Sequence, residues 1–275
     1  VTMIRREYPR YFLLILPAAL IFTTFFFVPM TRLAVVGATG DEGAASYLSI
    51  IQTPRHFESM VATVLLSIGV TAFALVISTI AGLFLVRNRF RGSETLVSLL
   101  TFPLAFPGVV IGFMIILLAG RQGLIGGISN YLIGYKVVLA YSMWGLFLGY
   151  LYFSIPRVIL TIMASAEKLD PALEEAARSL GASSWEVIVD VILPALKPGL
   201  IASGAICFAT SMGAFGTAFT LATNIDVLPM TIYTEFTLNA NIAGAASLSI
   251  ILGIITWVAL LLARSLSGST VAASG

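Results

Sequence analysis

Carboxylates, guanidinium groups and amines could dock a partner, move a proton or hold a metal, and in this chain they are scarce and clustered. Ten of them fall between positions 157 and 197: Arg157, Glu167, Lys168, Asp170, Glu174, Glu175, Arg178, Glu186, Asp190 and Lys197. The whole chain has only 15 Lys and Arg and 13 Asp and Glu in 275 residues. Metal chemistry lacks ligands: His56, in a loop without a second ligand-type cluster, is the only histidine and Cys207 the only cysteine. A held metal needs several ligands together, so no metal site is expected, and a single Cys excludes an intramolecular disulfide. Nor is there a cradle for ATP phosphates. No G-x-x-x-x-G-K-[ST] run occurs, because Lys136, Lys168 and Lys197 are followed by Val, Leu and Pro. No catalytic residue is expected. A net charge of +2 without a concentrated basic face does not fit a nucleic-acid binder.

The charged cluster has its own local code. Asp170-Pro171 is a helix start: Asp accepts a backbone N–H at the N-cap, and Pro at the first helical position gives up a donor that is orphaned there anyway. Glu174 and Glu175 follow near the positive end of the helix dipole, and Ala172, Leu173, Ala176, Ala177 and Leu180 favour the helix. Gly181 can take the left-handed conformation that ends it. Ser183-Ser184-Trp185-Glu186 has the spacing of a capping box, which predicts a second helix there. Trp185, Ile188, Val189 and Ile192 give it an apolar face, and Pro194 and Pro198 are expected to break it. Such a hairpin either docks another protein through its small, close-packing residues or lies on the bilayer and its own bundle.

What must carry this hairpin is a membrane bundle. Charged residues make up 10% of the chain, against about 25% in soluble domains, and mean hydropathy is +1.01. Six runs contain no charged residue or histidine: 12–31, 60–86, 96–119, 137–155, 199–221 and 242–263. About 20 apolar residues suffice for a helix to cross a ~30 Å hydrocarbon layer. The reading is all-α: a single polytopic membrane domain of six transmembrane helices over 1–275, with the hairpin loop at about 164–197. A soluble enzyme is excluded. Arg5, Arg6 and Arg10 precede the first run, which is longer than a signal core and lacks an A-x-A site, so it reads as a retained helix. Basic residues concentrate on the cytoplasmic side of short loops. With both termini cytoplasmic, eleven of the fifteen fall inside: Arg5, Arg6, Arg10, Arg87, Arg89, Arg91, Arg157, Lys168, Arg178, Lys197 and Arg264. Arg32, Arg55, Arg121 and Lys136 fall outside.

Glu175-Ala176-Ala177, then Gly181 after three residues, then Val191-x-Leu193-Pro194, resembles the EAA motif of ABC-importer permeases, with Val191 in place of the usual Ile. Phe102-Pro103-Leu104, Phe106-Pro107-Gly108-Val109-Val110-x-Gly112 and Arg121-Gln122-Gly123-Leu124-Ile125-Gly126 resemble the third span and following loop of the same family. The resemblance covers roughly residues 60–262. It implies that the hairpin is a coupling helix seated on a separate ATPase, with Glu174, Glu175, Ala176, Ala177, Gly181, Ala182, Leu193 and Pro194 at the joint. It also implies the partners: the bilayer of a prokaryotic inner membrane, two ATP-binding subunits that hold the ATP and Mg, a second permease chain, and a periplasmic or lipid-anchored binding protein.

The resemblance implies that the solute path runs through span five, where Ser211, Met212, Phe215 and Phe219 stand among small residues; close helix packing through those residues is the other reading. Family members for sulfate, molybdate or ferric iron often carry an acid where Ala214 stands, which argues against those solutes. The resemblance is strongest to spermidine/putrescine-type permeases, a group that includes aminoethylphosphonate transporters. It implies a polyamine or related small amine, with aminoethylphosphonate, ferric iron or an oxyanion as alternatives. Asp226 and Glu235 could attract a cation, though loop acids of this kind are more often solvated. An ion-coupled carrier is disfavoured because no run holds a carboxylate or histidine, and a membrane scaffold would leave the hairpin without a purpose.

Overall fold

A computed structural model describes residues 8–40, 43–88, 90–221 and 225–267, with side chains from Leu14 to Leu266 outside those gaps. Arg5, Arg6 and Arg89 of the inside-facing set lie outside the described residues, as does the Arg10 side chain. No strand occurs among the described residues. Six helices are long and apolar enough to cross a membrane: Leu14–Gly37 (α1), Pro54–Arg87 (α2), Gly108–Ile133, Met143–Ala166, Ser184–Met212 and Ile242–Leu266.

The runs free of charge and the helices do not coincide, for local reasons. The expected third run, 96–119, is broken by Pro103 and Pro107 into α3 (Ser93–Thr101), a 3-10 turn at Phe102–Ala105, and α4 (Gly108–Ala119). Proline removes a backbone donor and drives the preceding residue to extended backbone, and Phe106 is extended at ψ 133°. After a turn at Gly120, α5 (Leu124–Ile133) completes the Gly108–Ile133 segment. In the fourth element, residues 137–142 are not helical; α6 (Met143–Ala166) starts at the Ser142 cap and continues eleven residues past the end of the 137–155 run, with Pro156 inside it. It is followed by α7 (Pro171–Ser179), α8 (Ser184–Met212), α9 (Gly216–Leu221), α10 (Leu228–Thr237) and α11 (Ile242–Ser267).

The chain forms two compact units, one of residues up to Phe57 with Thr231–Ile251, the other of Glu58–Met230 with the residues from Leu252 on. In the first unit the Tyr47 hydroxyl donates to Ala34 O at 2.7 Å, and Ser46 donates to Gly37 O. In the second, Leu66, Val70, Ile115, Leu146, Tyr150, Val158, Ile162, Cys207, Ala218 and Leu221 form the core. Lipid tails are as apolar as these side chains, so burial alone does not drive such helices together; close approach through small residues does. A Cβ on Gly199 of α8 would lie 2.3 Å from Ser165 Oγ of α6, and one on Gly204 would lie 3.1 Å from Leu75 of α2. Cys207 is buried and carries no disulfide.

Candidate functional site

The hairpin forms as its caps dictate. Asp170 accepts from Ala172 N at 2.9 Å, with Pro171 at the first helical position. Gly181 is left-handed at φ +90°. Glu186 N donates to Ser183 Oγ at 3.3 Å and Ser183 N to Glu186 Oε2 at 2.6 Å, closing the capping box.

The second helix departs from expectation. Pro194 and Pro198 do not end it: the chain passes from Ser184–Glu186 through a π turn at Val187–Ile192 into Leu193–Met212, with Pro198 inside. A π turn shifts hydrogen bonds to i→i+5, and Pro194 arrives at the first positions of the next α segment, where a missing donor costs least. The same turn re-phases the apolar face. Val187, Ile192 and Leu196 are buried, packed with Ala166, whereas Trp185 is 71% exposed and Val189 is also exposed. Spacings of five and four residues replace the expected i, i+3, i+4, i+7 pattern.

Of the joint residues, Glu175, Ala176, Gly181, Leu193 and Pro194 are exposed, Glu174, Ala177 and Ala182 half-buried. Leu180 at 90% and Trp185 extend this into an apolar, acid-flanked surface. One anchor was not legible in sequence: Arg87, at the end of α2, donates to Glu174 Oε1. Nothing at positions 87 and 174 announces a pair 87 residues apart.

The expected pathway residues divide. Ser211 and Met212 are fully buried, while Phe215 and Phe219 are exposed with ring centroids 5.3 Å apart. Helix interruption at 213–215 meets the interruption before α4. Thr217 Oγ1 donates to Gly108 O at 2.9 Å, Thr220 Oγ1 to Val109 O at 3.3 Å, and the Tyr150 hydroxyl to Ala214 O. Gly108, Ala214 and Thr217 line a cavity of about 290 Å³ together with Phe106, Phe153, Arg157 and Thr210.

His56 lies in the first turn of α2 rather than in a loop, and Glu235 is buried rather than solvated. Glu235 accepts from Asn239 and Asn241 side chains at 3.0 Å each and lies 3.6 Å from His56 Nε2. The acids at 226 and 235 therefore differ: Asp226 is exposed, while Glu235 is committed to local bonds. Among the described residues no His, Cys, Asp and Glu group could hold a metal.

Six helices long and apolar enough to cross a membrane, with a capped and exposed hairpin leading into the fifth, define a multi-pass membrane protein. The chain belongs to the family described as binding-protein-dependent transport system inner membrane component, matched over residues 74–269. It is an ABC-importer permease subunit, a multi-pass inner-membrane protein. It is 34% identical over 212 residues to the molybdenum transport system permease protein ModB of Escherichia coli K12, covering 74% of this chain and 92% of that protein. It is 29% identical over 245 residues to a Salmonella typhimurium permease protein assigned to 2-aminoethylphosphonate transport, covering 86% and 85%. Its fold matches a chain of a bacterial alginate ABC transporter, solved with an alginate pentasaccharide-bound periplasmic protein, at TM-score 0.80 and 18% identity over 96% of each chain.

Proposed function

We propose that this chain forms half of the translocation path of an ATP-driven importer, with its 170–194 hairpin seated on a partner ATPase. A second permease chain, two ATP-binding subunits and a substrate-binding protein complete the assembly, and ATP and Mg belong to the partners. The hairpin faces the cytoplasm, as do both termini. The observation carrying this reading is the hairpin surface itself. Leu173, Leu180 and Trp185 are 53%, 90% and 71% exposed beside Glu175 and Ala176, on an element whose two helices each start at a side-chain cap. Large apolar side chains left out of a well-formed hairpin are the mark of a docking face.

For the solute, the relatives favour the anionic alternative over the amine. Molybdenum in water travels as the oxyanion molybdate, and 2-aminoethylphosphonate pairs an amine with an anionic phosphonate. The molybdenum permease at 34% identity also blunts the case from Ala214 against oxyanions. A small solute bearing an oxyanion or phosphonate group is the reading adopted.

The test is uptake by proteoliposomes holding the permease with its ATPase and binding protein. Labelled 2-aminoethylphosphonate or molybdate should enter only with ATP inside, and Gly181→Glu should assemble but lose ATPase stimulation by the loaded binding protein. Uptake of putrescine alone would return the solute to the amine class; undiminished stimulation in Gly181→Glu would remove the coupling role.

A further inference from the structure

The loop at 164–197 that carries the hairpin accounts for nine of the ten clustered charges; Arg157 stands apart from it. It follows Pro156, well inside the 24-residue α6, a helix long and apolar enough to span. An ionisable side chain inside a spanning helix is expensive and faces a cavity or a partner. Among the described residues Arg157 makes no ion pair, and it lines the cavity of about 290 Å³ between α4, α6, α8 and α9. Since a water occupies about 30 Å³ of liquid, that space is worth about ten waters, enough for a small polyatomic ion and part of its shell.

The other polar side chains of the lining, and several of its carbonyls, are already engaged. Gly108 O accepts from Thr217 and Ala214 O from Tyr150, while Thr210 Oγ1 donates to Ile206 O at 2.9 Å and Cys207 O at 3.0 Å. Covered carbonyls present less negative potential to a passing cation or amine. Among the described side chains of the lining, the one left uncommitted is a guanidinium, whose planar fork matches an oxyanion or phosphonate in two parallel bonds. Gly108 opens the twelve-residue α4, so the helix dipole there adds potential of the same sign.

We propose that Arg157 is the anion-binding residue of a solute subsite within this cavity. The subsite takes the anionic oxygens of the translocated solute, and it rests on the permease reading above.

Two experiments test it. In the assembled transporter with Cys207→Ala, Thr210→Cys should react faster with the anionic thiosulfonate MTSES than with cationic MTSET, relative to free thiol. Adding Arg157→Gln should cut that preference about tenfold, the scale on which a local field concentrates counter-ions. An unlabelled Thr210→Cys, or a preference indifferent to Arg157, overturns the subsite. In ATP-loaded proteoliposomes, Arg157→Gln should slow uptake of 2-aminoethylphosphonate or molybdate about tenfold, and Arg157→Lys should retain most of it, both with the transporter assembled and its ATPase still stimulated by loaded binding protein. Wild-type uptake matched by Arg157→Gln overturns the subsite alone, as does loss of assembly in both variants, which would make Arg157 structural. No ATP-dependent uptake by the wild type overturns the permease reading itself.

Discussion

At Gly181 the backbone decides what a side chain would cost. Its φ is +90°, and a Cβ there would meet nothing within 4 Å, so the penalty for replacement is conformational and not steric. A left-handed residue with a Cβ costs about 1–2 kcal/mol, less for Asn. Gly181→Asn should therefore keep most binding-protein-stimulated ATPase activity, Gly181→Ala less and Gly181→Val least. A flat series would show that the hairpin turn does not transmit. Gly112 poses the opposite case. A Cβ there would stand 2.6 Å from Thr220 Cβ, an atom fixed to the backbone of α9, so Gly112→Ala must push α4 and α9 apart. Overpacking costs about 1–3 kcal/mol, which a thermal-unfolding scan of the purified transporter reads as a lowered midpoint. Adding Thr220→Ala should not restore it, because the clashing Cβ remains; adding Thr220→Gly should. Arg157 shows why single-residue reading failed where it did. Placed just past an uncharged run and beside Pro156, it reads as the end of a span; only the helix continuing to Ala166 carries it inward.

Among elements, the joint between α2 and α7 rests on Arg87 and Glu174, whose side chains are 37% and 23% exposed. They close one side of a cleft of about 360 Å³ lined by Leu83, Val86, Ala166 and Pro171. A pair this wet is worth about 0.2–1 kcal/mol, so its loss should leave the unfolding midpoint nearly unchanged. Its geometric effect is larger, since it ties the first hairpin helix to the end of a 34-residue helix. Arg87→Glu and Glu174→Arg should each lower solute moved per ATP hydrolysed, and the exchanged double variant should recover most of that ratio. Equal losses in singles and double would mean that the residues act separately. The hairpin itself was legible because caps are local: Asp170, Gly181, Ser183 and Glu186 each act within three residues of themselves. The π turn was not, because Pro194 and Pro198 carry a strong stop signal that only the surrounding packing of Val187, Ile192 and Leu196 overrides. Long-range partners such as Arg87 with Glu174, or Thr217 with Gly108 across 109 residues, have no sequence period to reveal them.

For the whole molecule, the distribution of charge fixes what can drive transport. None of the six uncharged runs supplies a carboxylate or histidine that could take up and release a proton within the bilayer; the charge that α6 does carry inward is a guanidinium. Glu235, the buried acid nearest such a role, belongs to α10, a ten-residue helix too short to span about 30 Å, and its oxygens are held by Asn239 and Asn241. The chain also has no phosphate-binding loop, and on the proposed reading the free energy arrives from a partner ATPase through the exposed hairpin. Uptake into proteoliposomes should accordingly collapse to background when enclosed ATP is replaced by ADP, and should be indifferent to a protonophore or to reversal of the sodium gradient. Transport that followed an ion gradient in the absence of the ATPase would place the coupling group inside this bundle, where Arg157 and the His56–Glu235 pair would be the first residues to substitute.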